Sequence, residues 1–156
     1  METLRYLLLE RLYEWSKIPY RLLFKKEAAW GISAKELLEY SPETLGYHLG
    51  CFLLTHHFTP EPQLEDHDVF HVLTATSIAV PDEIAMQWLL FGNGKRSLYL
   101  FIALTVGTTL FIDHFKSFIK AFKRGKKANR FYNLNYLELL TEPLADLQHT
   151  LKIKLL

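Results

Sequence analysis

Between Arg96 and Asp113 the chain runs for sixteen residues, 97–112, without a charge. This is the most hydrophobic stretch of the sequence, and a chain in water has few ways to accommodate it. It falls short of the ~20 apolar residues that span a bilayer as a helix, and it contains Thr105, Gly107, Thr108 and Thr109. The expectation is a long, fully buried apolar helix at the centre of a helical fold. Gly107 and the threonines beside it have two readings: room for a chain-like ligand between helices, or an ordinary helix-packing contact.

The flanking sequence supplies further helices. Leu4, Leu7, Leu8, Leu12, Trp15 and Ile18 recur at helical spacing, with Glu10, Glu14 and Lys17 mostly opposite. Pro19 kinks or ends that helix, and residues 20–24 resume it. Such an amphipathic opening packs on a core or docks on a membrane face. Ser33 with Glu36 forms a capping-box pattern for a helix over 34–40. Ser41, Pro42 and Glu43 are a second start signal, for a helix reaching about His57, where His56 and His57 sit as helix-end residues. Phe91-Gly92-Asn93-Gly94 ends a later helix with two glycines, and residues 132–140 and 143–153 read as two closing helices. Strand-type alternation, repeats and phosphate-binding glycine loops are absent. The predicted fold is all-α: a single-domain bundle of about six to eight helices over residues 1–156, long enough to bury a core without cross-links. The single cysteine, Cys51, excludes a disulfide framework and reads as a buried structural thiol in a reducing compartment.

The residues that point to chemistry are His67, Asp68, His71 and Glu83. On a helix, His67 and His71 leave the same face one turn apart, roughly 6 Å from each other, and Asp68 shares that neighbourhood. Glu83 joins them only if the chain turns back, because twelve residues of straight helix would carry it about 18 Å away. Thr74, Thr76, Ser77, Ile78 and Val80 are poor helix formers, and Pro81 starts helices but does not sit inside them. The spacing therefore predicts a helix through about Thr76, a reversal, and a new helix opening at Pro81-Asp82-Glu83. Glu83 then lies in a first turn from which it points back at the histidines. An HxxxH pair alone is most often two ordinary helix histidines; the two carboxylates make it a candidate shell for a divalent ion, zinc first and iron or manganese next. Four ligands around a tetrahedral ion would form a closed, structural site. Withdrawal of one carboxylate would leave an open position, as in non-haem iron sites with two histidines and one carboxylate. The spacing leaves both open, and no catalytic residue beyond the ligands is assigned.

Charge is unevenly spread. Residues 66–115 carry 2 basic and 5 acidic groups, whereas residues 116–156 carry 9 basic and 3 acidic ones. Lys116, Lys120, Lys123, Arg124, Lys126, Lys127 and Arg130 follow one another with no acid among them. They read as a solvated helix end or as attraction to anionic phospholipid or the phosphate of a lipid ligand. Nucleic acid is not expected, because Phe118 and Phe122 fall at core-like spacing rather than as a stacking platform.

The HDxxH motif followed by eleven residues and glutamate resembles the signature of the coenzyme Q (ubiquinone) biosynthesis protein 4 family. Glu83-Ile84-Ala85-x-x-Trp88, the basic turn from Ala121 through Gly125 to Ala128, and Glu142-Pro143-Leu144-Ala145-Asp146-Leu147 are similar to flanking segments of that family. Two places depart from it: Asp82 stands where the family has glycine, and Gln63-Leu64-Glu65-Asp66 where it has basic residues. The resemblance implies that His67, Asp68, His71 and Glu83 hold the metal. It implies a role in ubiquinone-type quinone biosynthesis, either in oxidative decarboxylation of the polyprenylated ring precursor or as a non-catalytic lipid-binding scaffold with a structural metal. The partners it implies are a polyprenyl quinone precursor or other isoprenoid lipid, the membrane surface, other quinone-biosynthesis enzymes and a second copy of the chain. Residues 1–5 and the short apolar run after them do not read as a signal peptide, so a cytoplasmic location is expected, peripheral on the inner face of the membrane. A helical HD phosphohydrolase spreads its ligands over separate elements and fits this compact motif badly.

Overall fold

The computed structural model describes residues 30–60 and 65–155. The predicted opening helix within residues 4–24 lies outside the described residues, as does Glu61-Pro62 of the connection into the histidine helix. Within them run α1 (Ala34–Leu37), α2 (Leu45–Thr55), α3 (Glu65–Thr74), α4 (Val80–Asn93), α5 (Leu98–Leu110), α6 (Phe115–Lys127) and α7 (Leu144–Thr150), with 3-10 turns at Ile112–His114 and Tyr136–Leu139. The fold is all-α, as the sequence predicts. Among the described residues there is no strand, only an isolated antiparallel bridge between Thr44 and Pro143.

The first predicted start signal acts where the sequence places it, and Ser97 adds a cap beyond those predicted. Ser33 and Glu36 form the capping box, satisfying both backbone donors reciprocally. Ser97 caps α5 by accepting from Leu100 N–H. The start signal at Ser41 is overridden. Leu45 N–H and Gly46 N–H donate to the carbonyls of Glu142 and Leu140, both at 2.9 Å. This pairing keeps residue 44 extended, so Thr44 rather than Ser41 caps α2. The closing helix expected over 132–140 is reduced to a 3-10 turn at Tyr136–Leu139. The buried carboxamide of Asn93 accepts from Phe131 N–H at 2.8 Å and Tyr132 N–H at 3.2 Å, and donates to the carbonyls of Gly125 and Asn129. These bonds tie the start of the loop to α4, and Tyr136 fixes it further by donating its hydroxyl to Phe131 O at 2.7 Å.

The main core joins Leu45, Leu49 and Leu53 of α2, Val69, Phe70 and Leu73 of α3, and Met86, Leu89 and Leu90 of α4 with Phe131, Tyr136 and Leu140. The crossing of α4 and α6 depends on two glycines. A Cβ on Gly125 would strike the Leu89 carbonyl, and one on Gly92 the Phe122 carbonyl. Gly92 is therefore a point of close approach inside α4, and Gly94, at φ +112°, is the glycine that ends the helix.

The uncharged helix α5 differs from expectation. Leu100, Leu104 and Gly107 are buried, but Leu98, Phe101 and Ile102 remain 64, 46 and 54% exposed. A helix buries only the stripe that a neighbour covers, and α5 packs chiefly on α4 among the described helices. The Gly107 gap is filled: Ile84 occupies the space a Cβ would need. Trp88 Nε1–H donates to Thr108 Oγ1 at 3.0 Å across the same contact. No single described helix is long and apolar enough to cross a membrane. Cys51 is partly exposed rather than buried, and it is a free thiol.

Candidate metal centre

His67 and His71 lie one turn apart on α3, and Glu83 stands in the first turn of α4. The reversal between them is built from the residues that are poor in a helix. Ala75 adopts φ +51°, a left-handed conformation that ends α3. Thr74 donates its hydroxyl to Phe70 O at 2.7 Å, and its oxygen lies 2.7 Å from Thr76 Oγ1. Thr76 N–H then returns to His71 O at 3.1 Å, while Ser77 Oγ accepts from Ala79 N–H. Helix α4 opens one residue before the expected Pro81, at Val80, with Ala79 at the cap position. Glu83 N–H donates to Ala79 O at 2.9 Å, so the carboxylate is set in an orderly first turn.

The two imidazoles share one carboxylate. His67 Nε2 is 3.3 Å from Glu83 Oε2, and His71 Nε2 is 3.0 Å from Glu83 Oε1. His67, His71 and Glu83 each offer a ligand atom, all within 4.8 Å of one another. Donors at 2.0–2.2 Å from one tetrahedral ion stand roughly 3.4 Å apart, which is close to the two observed His–Glu separations. The proton inventory agrees. His71 Nδ1 is 3.0 Å from the Thr76 carbonyl, and a carbonyl only accepts, so Nδ1 carries a proton. In the neutral ring Nε2 is then a lone pair facing a carboxylate oxygen, an arrangement that calls for a positive centre between them. A ligating histidine whose other nitrogen donates to a backbone carbonyl is the usual way such a ring is oriented for a metal. These residues fit a divalent cation.

His71 is buried, with the Phe52 ring stacked on it at 5.3 Å and 15°. His67 and Glu83 are mostly buried, each with 29% of its side-chain surface exposed, which leaves the site one open side. Burial alone would lower the His67 pKa, but hydrogen bonds and charge from Asp68 and Glu83 outweigh it and raise the value to about 9. Burial would likewise raise that of Glu83, and the two imidazoles instead bring it down to about 2. Asp68 sits differently from the other three. Its Oδ1 is 3.7 Å from His67 Nδ1, on the ring nitrogen turned away from Glu83, so it contacts the histidine from behind. Thr76 and Phe52 are the residues that sequence reasoning missed. Thr76 was legible only as a poor helix former, and nothing in the spacing marks Phe52.

The profile of the family described as coenzyme Q (ubiquinone) biosynthesis protein Coq4 matches residues 28–156. The chain belongs to that family. The fold is similar to the crystal structure of a Nostoc punctiforme PCC 73102 protein provisionally named as a ubiquinone biosynthesis protein. That match has 14% identity and a TM-score of 0.64, covering 96% of this chain and 81% of the other. No curated protein matches this chain in sequence. Family membership points to involvement in ubiquinone biosynthesis, and His67, His71 and Glu83 form a group able to hold a metal ion.

Proposed function

We propose that this Coq4-family protein holds a divalent ion at His67, His71 and Glu83 and presents a polyprenylated ring precursor of ubiquinone-type quinones to it. The observation that carries this reading is the convergence of both Nε2 atoms on the two oxygens of Glu83, with His71 Nδ1 already committed to Thr76 O. Three protein ligands leave a coordination position for substrate or water. A bound ion supplies Lewis acidity if it is zinc, and one-electron chemistry if it is iron or manganese. The chain's own contribution is to orient: Thr76 fixes the His71 tautomer, Phe52 holds the ring plane, and Asp68 steadies His67 from behind. The reaction proposed is the oxidative decarboxylation of the prenylated ring, in which the ring carboxylate leaves as CO2, a hydroxyl from water takes its place, and the two electrons released pass to dioxygen as the oxidant. The exposed apolar residues Leu98, Phe101, Ile102, Ile112 and Phe115 supply a surface for the isoprenoid tail and for peripheral attachment to the inner face of the membrane.

The rival scaffold reading also has an observation in its favour. All three residues come from two successive helices, so an ion there staples the α3–α4 reversal. Elemental analysis of the full chain beside His71→Ala and Glu83→Ala, with native mass spectrometry, tests the first reading. The expected result is near-stoichiometric metal in the wild type, lost in both variants, with prenyl lipid bound. Metal-free wild-type protein purified without chelator would overturn it. Chelation that unfolds the protein, rather than abolishing turnover alone, selects the scaffold.

A further inference from the structure

Helix α6 carries Lys116, Lys120, Lys123 and Lys127, spaced so that they lie along one helical face. Across from them runs the segment after α7, with Lys152 and Lys154. Between the two is a cleft of about 330 Å³ lined by these six lysines, Arg124 and Ile119. We propose that this cleft between α6 and the C-terminal segment is a binding site for a phosphate-class anion, a phosphomonoester or diphosphate group.

The cleft is held open by its own backbone. Arg124 donates from Nε at 3.0 Å and from Nη2 at 2.6 Å to the Lys154 carbonyl, and more weakly from Nη2 to Thr74 O at 3.4 Å. Asn129 N–H donates to Leu151 O at 2.8 Å, and Asn129 Nδ2 to Thr150 O at 2.8 Å. The Arg124 guanidinium is thus occupied in fixing the far wall, and the lysines are left to face the cleft. Among the described residues, none of the six pairs with a carboxylate. Six ammonium groups round one concavity repel one another, and a compact multivalent anion relieves all of them together. Lysine serves as a point charge for phosphate. Among the described residues no aromatic ring lines the cleft, so they offer nothing on which to stack a base. Ile119 and the lysine stems form an apolar floor, which suits a phosphate carried on an aliphatic chain as well as a free one. The cleft shares no residue with the metal group.

The test is calorimetric titration of the full-length protein with inorganic diphosphate, alongside co-sedimentation with phosphatidylcholine vesicles with and without phosphatidylglycerol. Lys120→Gln/Lys152→Gln removes two lining charges from opposite walls. Lys126→Gln removes one charge from the same helix outside the cleft and is the control. The expected result is a single diphosphate site weakened roughly 25-fold by the double variant, at about fivefold per lysine, and twofold or less by Lys126→Gln. If the double variant also loses the anionic vesicles, the natural anion is a lipid headgroup; if vesicle binding is unchanged, it is a soluble phosphate. Absence of binding to both diphosphate and anionic vesicles would overturn the proposal. So would equal weakening per charge in the double variant and the control, which describes diffuse surface charge.

Discussion

The carbonyl of Thr76 lies 3.0 Å from Nδ1 of His71, so the residue just beyond the end of α3 also decides which nitrogen of the histidine faces Glu83. The turn and the donor set are one structure. In zinc-loaded protein, ¹⁵N spectra should show His71 protonated at Nδ1 and metal-bound at Nε2. The opposite tautomer would remove the orienting role of Thr76.

Metal affinity should fall unequally across the motif. His67→Ala, His71→Ala and Glu83→Ala each delete a ligand and should abolish stoichiometric loading. Asp68→Asn keeps all three converging atoms and should lower affinity by about 10–100-fold, as loss of an outer partner does, while the purified variant still carries metal. Competition titration with a chromogenic chelator reads the difference. An Asp68→Asn protein as empty as Glu83→Ala would make Asp68 a direct ligand.

The pH response of the metal-free protein follows from the two displaced pKa values. His67 is raised from 6.5 to about 9, so its contribution to stability is complete below 6.5 and is lost as pH rises through 9. Glu83 is lowered from 4.5 to about 2, so its contribution is complete above 4.5 and is lost as pH falls through 2. Thermal stability without metal should therefore be greatest between pH 4.5 and 6.5 and decline towards 9. Metal needs His67 neutral, so zinc affinity should rise with pH over the same upper window, by about tenfold per unit. A zinc affinity independent of pH between 6.5 and 9 would mean that His67 does not bind the ion.

Two substitutions test what holds α4 on α6. Gly125→Ala forces its methyl group into the Leu89 carbonyl and should cost about 1–3 kcal/mol, as overpacking does. Asn93→Ala leaves the N–H of Phe131 and the carbonyls of Gly125 and Asn129 without their partner. It should cost about 3 kcal/mol or more at 1–3 kcal/mol per orphaned buried group. Chemical denaturation in the presence of chelator measures both. A neutral Gly125→Ala would show that the two helices can separate without loss.

The exposed side of α5 should be separable from stability. Leu98→Ser/Ile102→Ser removes apolar surface that is 64 and 54% exposed, so the melting temperature should stay within a few degrees. Binding to lipid vesicles or to a prenylated ligand should drop severalfold. Unchanged binding would place the lipid-contacting surface elsewhere on the protein.

The sequence alone determined the local features of this protein. Ser33 with Glu36, Ser97 before α5, the weak helix formers around Thr76 and the proline after Val80 each act within a few residues, through backbone groups their neighbours satisfy. That was enough to place two histidines on one turn, to demand the reversal and to bring Glu83 back to them. The tertiary structure decided what depends on distant partners. Leu140 and Glu142 moved the α2 cap from Ser41 to Thr44, and Asn93 tied the start of the loop at Phe131 and Tyr132 to α4. Ile84 filled the gap at Gly107, and α5 was covered on one side instead of all round. Asp68 fell behind His67 rather than beside Glu83 because helix rotation, which a 3-4 spacing does not specify, set which ring nitrogen it met. Short-range hydrogen bonding is written in the order of residues; which face of a helix finds a neighbour is settled only when the whole chain packs.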